Sequence, residues 1–248
     1  MLWNRMLMST SSMVKHFNWN ATLPTSLISY YKFDTDWTVN DETATWNNLT
    51  IWWATYTASG KINWWYSLSN WDYFQDATAT WIDTWNWDLS VSFWAKWGNW
   101  TWLSSWNNHW GWVIWSAENA NIYPLGFQRW STWNDYVYLV QHDWTYTASA
   151  EAQVKDDWNW HHYVAKRSAS WATMELYEDN VRIINSTWLT WRSPSWTNSR
   201  ITINWNLGQA PTYMFTATWI VDEFWLWSKD LTTTEITALY NTWTGLSY

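Results

Sequence analysis

Tryptophan occupies the positions where a β-chain turns, and no other feature of this sequence limits its fold as sharply. Seven tryptophans directly follow asparagine (Trp19, Trp64, Trp71, Trp87, Trp100, Trp160 and Trp205) and three follow aspartate (Trp37, Trp144 and Trp158). Asn-Gly and Asp-Gly are the strongest short hairpin signals, because both central residues of a type I′ turn need φ > 0. A tryptophan there carries the Cβ penalty of the left-handed region without a compensating gain. The chain of 248 residues holds 34 Trp and only 6 Gly, where ordinary soluble chains carry about 7% Gly. The tryptophan excess more than covers the glycine deficit.

The pattern is explained if most of these tryptophans are glycine in the cell, encoded by UGA codons that the cell reads as Gly and that are rendered as Trp on paper. The competing reading is a truly tryptophan-rich binding surface, which places aromatics on strand faces or concave platforms rather than after Asn in turns. With glycine restored, NWWYSLSNWDYF (63–74) reads as a turn, a short strand, a second turn and another strand. Trp37, Trp64, Trp65, Trp71 and Trp144 are then expected in turns and exposed. A few tryptophans read as genuine. Trp94 lies in LSVSFWAKW (89–97), where Leu89, Val91, Phe93 and Ala95 alternate with Ser90, Ser92, Trp94 and Lys96. Trp112, Trp160 and Trp227 also read as genuine, and Trp87, Trp97 and Trp102 fit either way.

Short β-like runs separated by polar turns recur about every eight to twelve residues, the spacing of a sandwich or barrel. The runs are 27–33, 49–54, 66–69, 89–96, 112–115, 136–141, 161–167, 173–177, 181–184, 201–204 and 220–227. MELYEDNVRII (174–184) reads as a hairpin turning at Asp179-Asn180, two residues that tolerate φ > 0. One helical signal occurs, in LTTTEITALYN (231–241): Thr232 and Glu235 form a capping box, and Ile236, Leu239 and Tyr240 share a face. The expected organisation is an N-terminal segment or linker over 1–25 and one all-β domain over 26–248.

Composition narrows the function. Acidic side chains number 21 and basic ones 13, a net charge of −8, and no Lys/Arg run exceeds the pair Lys166-Arg167. Nucleic-acid binding needs a clustered positive surface, so no nucleic-acid partner is expected. The absence of Cys removes disulfides and thiolate metal sites. No apolar run approaches the roughly 18 residues of a membrane span. The first twenty residues contain Arg5 and Lys15 but no uninterrupted apolar region or small-residue cleavage site. A misassigned start or a piece of a longer surface protein accounts equally for that segment.

Five stretches in order resemble the LamG-like jelly-roll domains of the concanavalin A-like lectin/glucanase superfamily. SLISYYKFD (26–34) looks like the opening strand, and 40–74, with glycine restored, like the Asp/Gly/Asn-rich turn, the G-K-I-N-G segment and the strand ending in N-G-D-Y. DLSVSFWAKW (88–97) is similar to the sheet strand that carries a family Trp, and WNWHHYVAKR (158–167) to the G-x-W-H-H strand. WIVDEFWLWSKDLTTTEITALYNT (219–242) resembles the closing strand with Asp-Glu and the short helix after it. Tyr31 stands where many members have Trp, and 98–135 does not align. The resemblance implies a two-sheet antiparallel jelly-roll sandwich with one short C-terminal helix.

That sandwich hosts lectins, adhesion modules, spacers and hydrolases, so each chemistry is tested on residues. The superfamily's glucanases place their carboxylates on one strand as E-x-D-x-x-E, a spacing absent here. The nearest candidates are Glu175 with Glu178, at a hairpin turn, and Asp222 with Glu223, strand neighbours expected to point to opposite faces. His161 and His162 are adjacent on a strand and cannot share a metal from it, and His109 and His142 stand in turn-like context. Asp34, Asp36, Asn40, Asp41, Asn47 and Asn48 form an oxygen-rich loop suited to hard Ca²⁺. The resemblance adds Asp222, giving an expected calcium site at Asp34, Asn48 and Asp222, against which stands ordinary turn formation. Trp112, Tyr123, Tyr136 and Tyr138 are candidates to stack on a sugar, and alternating aromatics equally serve packing. The expected function is a non-catalytic carbohydrate- or protein-binding adhesion module of an extracellular or cell-surface protein, with a glycan or surface protein as partner. A glycoside hydrolase with a rearranged site and a structural spacer are the alternatives.

Overall fold

The computed structural model describes residues 26–35, 38–43, 47–58, 60–62, 64–68, 72–76, 88–97, 108–116, 122–132, 134–143, 147–155, 157–168, 173–186, 199–203 and 219–240. Structural statements below concern these residues. In chain order the strands are β1 (Leu27–Tyr31), β2 (Leu49–Trp52), β3 (Thr55–Ala58), β4 (Trp64–Leu68), β5 (Tyr73–Asp76), β6 (Leu89–Trp97), β7 (Asn108–Ser116) and β8 (Ile122–Thr132). They continue with β9 (Asn134–Asp143), β10 (Thr147–Gln153), β11 (His161–Ser168), β12 (Thr173–Glu178), β13 (Val181–Ser186), β14 (Ser199–Ile203) and β15 (Trp219–Trp227), and helix α1 (Thr233–Tyr240) follows.

Two antiparallel sheets form the sandwich. The first runs β13-β12-β11-β6-β15-β4-β3, with β1 also pairing β15, and the second runs β10-β9-β8-β7-β14-β5-β2. The chain passes from the second sheet to the first between β2 and β3, across Trp53 and Ala54. On one side β15 pairs β6 along its length; on the other its start pairs β4 and its end pairs β1. The register slips between Asp222 and Trp225, where the partner changes, and Glu223 takes φ 52 to absorb the extra residue.

The alternation of β6 shows why the two layers meet as they do. Leu89, Val91, Phe93 and Ala95 enter the core between the sheets, where Phe93 meets Phe127 of β8 at 5.2 Å and Tyr163 of β11 at 5.5 Å between ring centroids. Ser90, Ser92 and Trp94 alternate with them and are buried as well. A second cluster of Leu27, Tyr30, Val164, Tyr177, Trp225 and Trp227 covers that other face together with Leu231, Ile236 and Leu239. The helix forms where its sequence sets the cap: the Thr232 amide donates to Glu235 Oε2 at 2.9 Å and the Glu235 amide donates to Thr232 Oγ1 at 3.3 Å. Its buried residues are Ile236, Leu239 and Tyr240, the face read from the sequence.

Each of the eleven runs read from the sequence falls on a strand, although 27–33 and 49–54 overrun β1 and β2, which end at Tyr31 and Trp52, and Asp179 and Asn180 turn β12 into β13 with φ 50 and 65. Trp64 and Trp65 depart from expectation. They begin β4, in register with Ala58 and Thr57, rather than lying in a turn, because the β3–β4 connection is finished before residue 64. Trp37, Trp71 and Trp144, together with Trp87, Trp102, Asp36 and segment 1–25, lie outside the described residues. Among those described, no helix is long and apolar enough to cross a membrane.

Candidate functional site

The oxygen-rich loop after β1 is held by Asp41. Its Oδ1 accepts the amides of Tyr30 and Thr43 at 3.0 Å and the Thr43 hydroxyl at 2.8 Å, and its Oδ2 accepts the Asn47 amide at 3.2 Å. Asn47 Nδ2 donates to Ser29 Oγ at 2.8 Å and its carbonyl accepts the Tyr31 hydroxyl at 2.7 Å. Asn48 Oδ1 accepts the Asp41 amide at 2.9 Å. This carboxylate and these amides therefore hold the turn, the role Asp and Asn commonly take in loops.

Asp34's charge reaches Asp222, while Asn48 is engaged with Asp41. Asp222 Oδ2 accepts the amides of Lys61 at 2.9 Å and Ile62 at 3.1 Å, and Oδ1 has no hydrogen-bond partner. Glu223 corrects the expectation of opposite faces. The bulge breaks the alternation, so Asp222 and Glu223 are both buried and lie within each other's field. Glu223 takes the Tyr30 hydroxyl on Oε2. Burial, with Asp222's charge behind it, pushes Glu223 up to about 9, and burial lifts Asp222 to about 7 against the pull of the amides. Raised carboxyls of this kind suit acid catalysis when substrate reaches them, but Asp222 and Glu223 are 0% and 1% exposed. Among the described residues no group of three or more His, Cys, Asp or Glu is placed to hold a metal ion.

Sequence reasoning did not find the partners of Asp222. Gly60-Lys61-Ile62 brings them, and Lys61 Nζ lies 4.4 Å from the centroid of Trp94, which also meets His162 at 5.0 Å. The other acids named as candidates are engaged too. Glu175 accepts from Arg182 and Tyr177, and Glu178 Oε1 accepts the Lys155 amide and the Tyr163 hydroxyl. His161 is clamped by Asp179 and Asp157, and His162 Nε2 meets Ser92 Oγ at 2.7 Å. The spacing of Asp157 to His161 hints at one half of that clamp; Asp179 reaches it only through the β12–β13 hairpin.

The aromatic candidates separate. Tyr136 and Tyr138 are half-buried on β9 and alternate with Val137 and Leu139, which enter the inter-sheet core, so the two tyrosines take the opposite face. Burial and a hydrogen bond to Glu151 on β10 push the Tyr138 phenol up to about 12. The backbone of Trp112 is in register with Phe127 and Ile203. Tyr123 is in register with His142.

No family model and no curated protein matches the sequence. Solved structures do match. The binding domain of botulinum neurotoxin DC, in complex with rat synaptotagmin II, gives a TM-score of 0.66 at 13% identity over 88% of this chain and 52% of that one. The serotype D binding domain gives 0.65 at 15% identity over 88% and 52%. A botulinum neurotoxin type C structure, described as needing two ganglioside molecules for cell entry, gives 0.60 at 13% identity over 88% and 51%. The chain thus spans about half the length of these proteins. At such identities the likeness is one of fold, and the fold is an all-β, two-sheet antiparallel sandwich with one short helix.

Proposed function

We propose that the chain is a non-catalytic carbohydrate- or protein-binding module of LamG-like type, deployed outside the cell or at the cell surface, in which tryptophans written at turn positions are read as glycine. The sandwich shared with β-rich binding domains over 88% of the chain carries this reading. Those neighbours are described with synaptotagmin II, SialylT and gangliosides as partners, which makes a glycan or a surface protein the partner class to test here. The net charge of −8 and the sealed Asp222–Glu223 pair support binding over phosphate recognition or hydrolysis. Tyr136 and Tyr138, side by side on the face of β9 away from the core, are the described aromatics best placed to meet a sugar.

A glycan array and ganglioside-bearing vesicles test the reading directly. Binding that falls at least tenfold in a Tyr136→Ala/Tyr138→Ala variant with unchanged melting supports it. A stably folded domain that binds neither probe favours the spacer. Calcium at Asp34, Asn48 and Asp222 is a separable part of the proposal. Asp222 Oδ1 supports it, whereas Asn48 has to release the Asp41 amide to take part. A calorimetric titration with Ca²⁺ showing neither heat nor a shift in melting removes it.

A further inference from the structure

Trp53 and Trp158 are the tryptophans, among the described residues, whose backbone lies in the left-handed region, with φ 57 and 61. Phe33 and Glu223 share that backbone at φ 61 and 52, but each side chain reaches something that compensates. Phe33 is 2% exposed and packs among Tyr31, Tyr66 and Phe74; Glu223 is 1% exposed and takes the Tyr30 hydroxyl. Trp53 is 69% exposed and meets Trp52 edge-on at 6.1 Å. Trp158 is 44% exposed, with the Lys96 ammonium 5.8 Å from its ring. Surface contacts of this kind are weaker than the Cβ penalty of the left-handed region.

The local geometry at both positions is that of a glycine. Residue 53 is the corner where the chain leaves the second sheet for the first, with β2 ending at Trp52 and β3 beginning at Thr55. Residue 158 sits inside an Asx-turn, in which Asp157 Oδ1 accepts the Asn159 amide at 3.0 Å. Three other tryptophans have the opposite character. Trp94, Trp225 and Trp227 lie in strands and are 2%, 4% and 4% exposed. Trp225 stacks on Tyr30 at 3.7 Å and on Trp227 at 5.6 Å, and Trp94 stacks on Tyr240 at 6.0 Å. Removing any of these indoles empties the layer under α1.

We propose that residues 53 and 158 are glycine in the functional protein, whereas 94, 225 and 227 are tryptophan. The inference rests on the recoding part of the reading above and extends it to residue 53, which follows neither Asn nor Asp. It also sorts the tryptophans by backbone and burial instead of by the preceding residue. Codon reading together with peptide mass mapping of the protein from its native cells decides it. UGA codons and glycine masses at 53 and 158, with UGG codons and tryptophan masses at 94, 225 and 227, are expected. Tryptophan at 53 or 158 in the native protein overturns the proposal.

A second measurement is independent of the host. The Trp53→Gly/Trp158→Gly variant of the written chain is expected to melt about 2–4 °C higher for each position relieved. Where the written chain aggregates, the variant is expected to recover soluble monomer. A Trp94→Gly variant is expected to melt lower than the written chain. A double variant that melts no higher and is no more soluble overturns the proposal. Neither measurement involves ligand, so failure here leaves the binding-module reading standing, and absence of binding leaves this one standing.

Discussion

Both ring nitrogens of His161 face carboxylates: Nδ1 lies 2.7 Å from Asp179 Oδ2 and Nε2 lies 2.8 Å from Asp157 Oδ1. Two acceptors are satisfied when both ring nitrogens donate, an arrangement that favours the imidazolium form. Burial acts to lower its pKa, but the hydrogen bonds to Asp179 and Asp157, with Glu178 behind them, hold it above the ordinary 6.5. The same bond holds Asp157 down to about 2 from 3.8. Lys155, 2.7 Å from Asp179, is the other cation in the group. A raised histidine contributes stability that is complete below its unfolded pKa and is lost as pH rises through the folded one. Asp157 contributes above 3.8 and loses that contribution as pH falls toward about 2. The clamp is therefore strongest between about pH 4 and 6.5. The melting temperature of the protein is expected to fall from pH 6 to pH 9 more steeply than that of His161→Gln, and parallel curves count against a charged His161. His162, one residue on, is pushed down to about 3 by burial, so near pH 6 only its unfolded state takes up a proton; this adds a slope of opposite sign that is common to both proteins and cancels in the comparison with His161→Gln.

Elements were legible where their signals are local. The capping box of α1 needs only Thr232 and Glu235, three residues apart, and both hydrogen bonds form. Thr232→Ala is expected to lose about 1 kcal/mol, roughly 2–4 °C in melting, and Thr232→Ser to lose little, as calorimetry can check. Asp179-Asn180 is legible for the same reason, because these residue types accept positive φ. Apart from β5, which lies outside the eleven runs and is met only as the last strand in the reading of 63–74, three strands were not read. β8 contains Pro124 and Gly126, which argue for a loop, and a bulge between Tyr123 and Gly126 accommodates them. β10, TASAEAQ, alternates only alanine with polar residues, and alanine is a poor strand former. The four residues of β3 lie between the corner at Trp53 and the Gly60 loop.

At the scale of the whole molecule, the sheets are joined by aromatic contacts that no single element predicts. Phe93 touches Phe127 across the core and Tyr163 and Phe224 within its own sheet. Phe93→Ala is expected to destabilise the fold by about 3–5 kcal/mol, measured by denaturant unfolding. Leu231→Ala, beneath the helix, removes a smaller side chain from the second cluster and is expected to fall near the lower end of the range of about 2–5 kcal/mol. The candidate site was legible only in part for related reasons. The face of Tyr136 and Tyr138 follows from the alternation of one strand, whereas the pairing of β7 with β8 and β14 depends on partners far along the chain. By itself the sequence determined the class of fold, the turn at Asp179-Asn180, the cap of α1 and the improbable chemistry of its turns, because each is settled by residues a few positions apart. Only the tertiary structure decided that β15 changes partner from β4 to β1, that Asp222 and Glu223 are buried together, and that Trp94 lies sealed while Trp53 and Trp158 stand exposed. Those outcomes depend on partners far along the chain, as with the Asp222 carboxylate and the Lys61 amide 161 residues before it, and no local pattern encodes such a meeting.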